Sequence, residues 1–189
     1  MQRFTILLLF TLVPACQPAF INGVPNERSP YFEVPVDSKL ILNQAITIEP
    51  AQKSAYFQRG RKIPWYDVDK FSAYCALALE RARDAEQTVK PGEFQVHRVF
   101  NETLFKIAKS NPTGVTTVDF KQQRAQNMRD DGGMTYEVLA TVMELRSNTQ
   151  PEVRRMTCAN WIVPQSRLSL TVEIIRRSLG DFFSLKLAI

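Results

Sequence analysis

The chain offers few of the side chains that enzymes use to transfer protons. It contains one histidine, His97, whereas a serine or cysteine nucleophile usually needs a neighbouring base. No segment matches the Gly-x-Ser-x-Gly turn that exposes a nucleophilic serine. Because His97 falls on the polar side of a predicted strand, opposite Phe94 and Val96, we expect a surface histidine and assign no catalytic residue.

Acidic residues form no recognisable metal motif either. Asp130 and Asp131 precede two glycines, but the segment lacks the alternating oxygen ligands of a calcium loop, so we interpret it as a turn. Zinc would need ligand pairs such as Cys-x-x-Cys, which the sequence lacks. We therefore expect neither a metal nor a cofactor. Paired carboxylates that cleave glycosides converge in space rather than in sequence, so a hydrolase stays open as an alternative.

Two neighbouring aromatic residues lie in a predicted loop that also contains proline and aspartate. We expect Trp65 and Tyr66 to pack under that loop. The alternative is that they form an aromatic binding patch.

The first fifteen residues have the layout of a secretory signal peptide. Arg3 supplies a basic start, residues 4–13 are apolar apart from two threonines, and Pro14-Ala15 leads to Cys16. The apolar stretch covers about ten residues, whereas a helix needs about 20 to cross the hydrocarbon core of a bilayer. We therefore expect residues 1–15 to be removed on export and the mature chain to lie in the cell envelope.

The end of this segment resembles the lipobox of bacterial lipoproteins. In a lipobox, aliphatic and small residues precede a cysteine that receives a diacylglycerol and becomes the new N-terminus. Val13-Pro14-Ala15 precedes Cys16, although Pro14 departs from the usual Ala or Ser. The resemblance implies lipidation of Cys16, and two or more acyl chains attach a protein stably to a membrane. Gln17 in place of Asp favours the outer membrane, on its periplasmic side. The alternative is an ordinary signal-peptidase site.

The other two cysteines form a natural disulfide pair. If Cys16 is acylated, Cys75 and Cys158 remain, and no thiol is left over in an oxidising compartment. We therefore predict a disulfide between them, across two buried elements, and prefer it to a metal site.

Charge is mixed along the chain rather than concentrated. The 24 Lys and Arg residues against 19 acidic residues give a net charge of +5. Basic residues occur in short groups such as Arg154/Arg155 and Arg176/Arg177, without a run of five or six like charges. This pattern favours solvated strand edges and helix faces and gives no sign of a nucleic-acid partner. Contact with anionic lipid head groups is the alternative.

The mature sequence divides into a short leader and one domain. Residues 16–38 contain four prolines among polar residues, which favours extended or irregular backbone and predicts a tether that lifts the domain off the membrane. Residues 39–189 are enough for one hydrophobic core and too few to suggest two domains.

Apolar residues alternate along most of this domain, as half-buried strands require. The pattern predicts strands at residues 39–48, 55–58, 94–100, 135–146, 153–163 and 182–187. Apolar residues on both faces of 135–146 indicate a central position in the sheet.

One short helix is predicted near the C-terminus. Thr171 can cap its start, and Val172, Ile175 and Leu179 share a face. Gly180 suits the left-handed position that follows a helix.

Residues 71–82 fit two structures. Their apolar residues are spaced as a helix face, and Ala, Leu, Glu and Arg are good helix formers. The residues around Cys75 also alternate as in a strand. Local sequence does not decide between the two.

Five short blocks follow one another between residues 55 and 185. They are Tyr-Phe-Gln-Arg-Gly-Arg at 56–61, Tyr-Cys at 74–75 with Glu80, Thr-Val-Lys-Pro-Gly-Glu-Phe at 88–94, Asn-Thr-Gln-Pro-Glu-Val at 148–153 with Thr-Cys at 157–158, and Leu-Thr-Val at 170–172 through Leu-Gly at 179–180. In order and spacing they resemble a group of uncharacterised exported proteins, often lipoproteins, of Gram-negative bacteria. The resemblance implies a strand at Cys75 whose cysteine faces Cys158, so that residues 73–81 are extended. It implies no activity.

Together these features predict an α+β, β-rich fold. We expect a mainly antiparallel sheet, as a sandwich or a partly open barrel, with one short C-terminal helix. For function we expect a lipid-anchored envelope protein that acts as a structural or binding module for a protein or other envelope partner. The alternative is an envelope hydrolase that uses paired carboxylates.

Acylation of Cys16 can be tested by the mass of the N-terminus. We expect the membrane fraction to contain a chain that begins at Cys16 and is heavier than the peptide by its acyl chains. Cys16→Ser should release the protein from the membrane or leave it unprocessed, because the sulfur that carries the lipid is gone. A soluble chain with an unmodified N-terminus at Cys16 or beyond would contradict this expectation.

Overall fold

The computed structural model describes residues 18–110, 116–119, 134–162 and 170–188, and side chains are described except at 104–110, 116–119 and 134–136. The predicted signal peptide, Cys16 and the turn at 130–133 lie outside these ranges. The strands are β1 Phe20–Ile21, β2 Val24–Pro25, β3 Lys39–Leu42, β4 Ile46–Ile48, β5 Ser54–Gln58, β6 Arg61–Ile63, β7 Tyr74–Leu79, β8 Gln87–Val89, β9 Gly92–Ser110, β10 Thr116–Asp119, β11 Met134–Arg146, β12 Val153–Ile162 and β13 Phe183–Lys186. Helix α1 spans Val172–Leu179, and 3₁₀ turns lie at Trp65–Asp67 and Gly180–Phe182.

One large sheet dominates the fold and curls into a half-barrel. Its strand order is β13-β3-β9-β11-β12-β7-β5-β6, with β10 paired to β9. Two small sheets, β1-β2 and β4-β8, accompany it. All described strand pairs are antiparallel. The β-rich, mainly antiparallel fold with one short helix is therefore confirmed. No helix in the described ranges is long and apolar enough to cross a membrane.

Strand β11 lies at the centre of the large sheet, between β9 and β12. Its consecutive residues Val142 and Met143 point to opposite faces, and both are buried. The apolar residues on both faces of 135–146 thus predicted the central position correctly.

The two faces of the sheet bury separate clusters. The larger core joins sheet, helix and N-terminal residues, among them Phe32, Leu40, Phe57, Met143, Ile175 and Leu185. The smaller cluster on the other face contains Val68, Tyr74, Val138, Ala140, Ala159 and Trp161. Burial on both faces explains why β7 is almost wholly apolar.

The segment that fits both helix and strand is strand β7. Tyr74 and Cys75 are consecutive and both buried, as are Leu77 to Leu79. An α-helix would keep part of its surface away from the core, whereas β7 is paired on both edges and covered on both faces. Tertiary burial has therefore overridden the local helix propensity, and the prediction that residues 73–81 are extended is confirmed for β7.

Cys75 and Cys158 form the predicted disulfide. They lie directly opposite each other on β7 and β12, with a Cα–Cα distance of 4.0 Å and an S–S distance of 2.05 Å. Both side chains are buried in the larger core. The bond joins strands that are 83 residues apart in sequence and fixes their register.

The C-terminal helix is also confirmed. The Thr171 side chain accepts a hydrogen bond from the Ile174 backbone N–H at 3.3 Å. Ile175 and Leu179 face the core, and Gly180 ends the helix with φ of +56°.

The predicted strand at 39–48 is two strands in two different sheets. The predicted alternation of buried and exposed residues is correct, because Leu40, Leu42, Ile46 and Ile48 are all buried. However, the backbone N–H of Asn43 donates to Phe182 O at 2.9 Å, and its side chain donates to Asp181 O at 3.0 Å. These bonds to the far end of the chain stop β3 and turn the next residues toward β8.

The described part of the predicted tether packs on the domain. Phe32 and Val34 are buried in the larger core. The Glu27 carbonyl accepts from the Glu173 N–H at 3.0 Å, and the Glu27 carboxylate accepts two hydrogen bonds from Arg176, at 2.7 and 2.9 Å. Prolines make the backbone of this segment irregular, but its apolar side chains still pack in the core. The described residues 18–38 are therefore an integral part of the domain, not a free tether.

Loss of the disulfide should destabilise the domain strongly. We expect Cys75→Ser to lower the free energy of unfolding by about 2 to 5 kcal/mol, measured by urea unfolding under oxidising conditions. The double variant Cys75→Ser/Cys158→Ser should cost little more than either single change, since one bond is lost in all three. Additive losses would instead indicate two independently buried thiols.

Candidate functional site: an arginine cleft

A cleft opens where β12 continues past the end of β7. The last pair of these strands is Ala159 with Tyr74, so Asn160 projects beyond its neighbour. Helix α1, the β5–β6 turn and the loop before β7 close around this position and leave a cavity of about 270 Å³. We call it the arginine cleft. Its lining includes Arg59, Phe71, Ser72, Asn160, Ile174 and Arg177.

A tight turn places Arg59 at one side of the cleft. Gln58 pairs with Arg61, and the two residues between them, Arg59 and Gly60, have φ of +53° and +75°. Two positive φ values identify the two-residue hairpin turn that matches the twist of the flanking strands. This turn brings Arg59 to the same cavity as Ile174 and Arg177 of helix α1.

The end of α1 approaches this turn closely. The Gly60 N–H donates to Ser178 O at 3.1 Å, and a Cβ added to Gly180 would lie 2.3 Å from Gly60 Cα. Real Cβ atoms do not come so close, so only glycine permits this approach. The contact fixes the distance between the turn that carries Arg59 and the helix that carries Arg177.

A buried glutamine holds the loop on the third side. Gln58 Nε2 donates to Asp69 O at 2.7 Å and to Ser72 O at 3.1 Å. Gln58 Oε1 accepts from the Asp69 N–H at 3.1 Å. The Asp69 carboxylate in turn accepts from the Phe71 N–H at 3.1 Å. The loop backbone is thus held by one side chain from β5.

Each of the two arginines forms a weak ion pair at the protein surface. Arg59 Nη2 lies 3.3 Å from Asp69 Oδ2 and 3.1 Å from Ser72 Oγ. Arg177 Nη2 lies 3.3 Å from Glu173 Oε1. The arginine side chains are 66% and 71% exposed, so each pair contributes little to stability. A guanidinium has five N–H donors, and both arginines can therefore turn toward a ligand at small cost.

Asp69 keeps its charge under most conditions. The Ser72 hydroxyl donates to Asp69 Oδ2 at 2.7 Å. This hydrogen bond is the main cause that lowers the pKa of Asp69 below its ordinary value, and the Arg59 charge lowers it further. The weak ion pair between Arg59 and Asp69 therefore involves an ionised carboxylate.

Asn160 is the unusual residue of the cleft. It is only 6% exposed, and its Oδ1 atom has no hydrogen-bond partner among the described residues. No other buried side-chain nitrogen or oxygen in those ranges shares this condition. A buried acceptor left unpaired costs about 1 to 3 kcal/mol. Two arginines thus line the cleft together with Asn160, whose buried acceptor has no partner among the described residues.

A second cavity, of about 300 Å³, lies beside β4, β5 and β6. Glu49 is the one carboxylate among its described lining residues, and it accepts a hydrogen bond from Gln52 Nε2 at 3.2 Å. Tyr56 also lines it, and burial raises the pKa of this phenol, which therefore stays protonated at neutral pH. Neither cavity has two carboxylates among its described lining residues, as a glycoside hydrolase would require.

The other candidate residues of the sequence lie apart from the cleft. His97 is half-buried on β9, with Nε2 3.7 Å from Glu144 Oε2. Trp65 packs against Tyr56 at a ring distance of 5.0 Å, as expected of a residue under a loop, whereas Tyr66 is 84% exposed. Across the described ranges, no three His, Cys, Asp or Glu side chains are grouped to hold a metal ion.

Sequence reasoning missed Arg59, Asn160 and Arg177. The arginines looked like ordinary surface charges. Asn160 could have been recognised from the sequence, because its side chain lies on the same face of the strand as those of the buried Cys158 and Ile162. A polar residue at a buried strand position needs a partner.

Comparison with known proteins gives no match: no family model, no curated protein and no solved structure is similar to this chain.

Replacing Asn160 by an apolar residue of similar size should stabilise the domain. We expect Asn160→Leu to raise the free energy of unfolding by about 1 kcal/mol, because an unpaired acceptor no longer has to be buried. Gln150→Leu is the matched control. Gln150 is buried too, but its amide makes two hydrogen bonds with the Lys90 backbone, at 2.7 and 2.9 Å, so this change should destabilise. Equal losses in the two variants on urea unfolding would show that Asn160 is satisfied within the fold.

Proposed function

We propose that the protein is a lipid-anchored envelope protein whose domain is a binding module. The module takes an anionic group, a carboxylate or a phosphate, in the arginine cleft. The anchor is Cys16, exposed by removal of residues 1–15. A disulfide between Cys75 and Cys158 supports this location, because such bonds persist in oxidising compartments.

The observation that carries the binding role is the unpaired Asn160 Oδ1 beside two arginines. A buried polar group without a partner costs stability, and binding sites keep such groups because a ligand satisfies them. Arg59 and Arg177 supply charge-assisted donors to an oxyanion. Asn160 Oδ1 accepts from an N–H or O–H group of the same ligand.

The walls of the cleft favour an organic ligand. Phe71 and Ile174 add apolar surface beside the charged groups. A ligand that fits has an oxyanion, a hydrogen-bond donor a few atoms away, and an apolar portion. The end of a peptide has all three, since its carboxylate and its last N–H lie close together.

Titration with small probes tests this role. We expect N-acetylglycine, which combines a carboxylate with an N–H, to shift the Asn160 side-chain amide signals saturably in NMR spectra of the mature chain. The dissociation constant should be on the order of 1 mM, about 4 kcal/mol of binding free energy, as suits a fragment. N-acetylglycinamide, which lacks the charge, should bind much more weakly. Inorganic phosphate, titrated in parallel, distinguishes a phosphate site from a carboxylate site.

Charge-removing variants give the control. Arg59→Gln/Arg177→Gln should weaken binding at least about tenfold, equivalent to 1.4 kcal/mol. Arg61→Gln removes the same charge from the same hairpin, but Arg61 does not line the cleft, so affinity should be nearly unchanged. No saturable shift with either anion, or equal losses in both variants, would refute the binding role of the cleft.

A further inference from the structure

We propose that the N-terminal segment that exposes Phe20, Ile21, Val24, Tyr31 and Val36 lies against the lipid surface of the membrane that holds the protein. We call these residues the N-terminal apolar patch. The proposal rests on the proposed lipid anchor at Cys16 and adds a second, noncovalent contact that orients the domain.

Exposed apolar side chains are concentrated in this patch. Its five members are 50% to 69% exposed. In the described ranges, only Tyr66 and Phe71 are also large, apolar and exposed. Single exposed apolar residues are common, but five of the seven large ones among the described residues fall within 17 residues of sequence.

The tip of the patch is a hairpin that stands clear of the domain. Asn22 and Gly23 have φ of +52° and +77°, the two-residue turn of a tight hairpin, and Ile21 pairs with Val24 across it. A Cβ added to Gly23 would meet nothing within 4 Å. The apolar side chains beside the turn are therefore open to a large, flat partner.

Hydrogen bonds close the base of the hairpin, and apolar packing of Ala19 and Phe20 attaches it to the domain. Asn26 donates through its backbone N–H to Ala19 O at 2.8 Å and through its side chain to Pro18 O at 2.9 Å. The Phe20 ring packs edge-on against buried Phe32, with 5.5 Å between ring centroids. The patch is thus part of the domain surface, and its contact with a membrane would fix the direction in which the domain faces.

Chain length decides which partner covers the patch. Only three residues lie between Cys16 and Phe20, and the four steps from one to the other, at about 3.6 Å each, span at most about 14 Å. An acylated cysteine lies at the level of the lipid head groups, so the hairpin is held within that distance of the bilayer. Aromatic and aliphatic side chains partition into this interfacial layer. The short distance to the anchor therefore favours the bilayer over a second copy or an envelope protein as the partner of the patch.

A fluorescent probe at the hairpin tests the contact. In the acylated mature chain Cys16 is blocked by lipid and the other two cysteines by their disulfide, so Val24→Cys supplies the only free thiol. The variant is labelled with an environment-sensitive dye and reconstituted into vesicles of phosphatidylethanolamine and phosphatidylglycerol. Tyr66→Cys, labelled in the same way at an equally open position, is the matched control.

We expect the dye at residue 24 to shift to shorter wavelength and its quenching by iodide to fall about threefold or more relative to residue 66. Equal quenching at the two positions would overturn the proposal. A blue shift that appears without vesicles and grows with protein concentration would indicate a second copy as the partner, and would overturn it as well.

Mass spectrometry of the mature chain shows independently whether Cys16 is acylated. If Cys16 proves unmodified, the labelled variant Val24→Cys/Cys16→Ser is added to the same vesicles. A saturable blue shift would then support the lipid contact without the anchor, and no shift would refute the contact itself.

Discussion

The close approach of Gly60 and Gly180 holds helix α1 against the large sheet, and much of the molecule depends on this contact. It places Arg177 across the cleft from Arg59, and it sets the height of the helix over Asn160. The neighbouring Arg176 binds the Glu27 carboxylate through two hydrogen bonds, so the same helix also holds the N-terminal segment. A methyl group at Gly180 would push the helix off the turn and disturb both surfaces together.

The core and the cleft favour different kinds of side chain on β12. Met156 and Cys158 bury apolar or disulfide-bonded side chains on one face of this strand, and two residues further on Asn160 places an amide at the same depth. A leucine would serve the core better, whereas an amide would serve the ligand that we propose. Stability given up at a buried polar group is common at binding sites, and among the residues that the structure describes it is confined to Asn160 at the rim of the sheet. The rest of the strand packs without such a compromise.

Short-range patterns predicted what depends on neighbours in sequence. Alternation around Val142 located the central strand, and Thr171 and Gly180 marked the ends of the helix. The end of β3 was not predictable, because Asn43 is bonded to Asp181 and Phe182, which are far away in the chain. Burial of Phe32 likewise depends on distant strands. The cleft combines the β5–β6 turn, the loop before β7, β12 and α1, so no local sequence pattern could reveal it. The one indication in the sequence was a polar residue, Asn160, on the buried face of a predicted strand.

The first and last strands of the large sheet are neighbours, since β3 lies between β9 and β13. A ribosome synthesises β3 long before it synthesises β13. Until then one edge of β3 has no partner strand, and Asn43 and Glu27 lack the groups they bind. Long-range pairing of this kind slows folding. The large sheet is therefore complete only after β13 has been synthesised, and loss of β13 would leave an open edge on β3, which lies far away in the sequence.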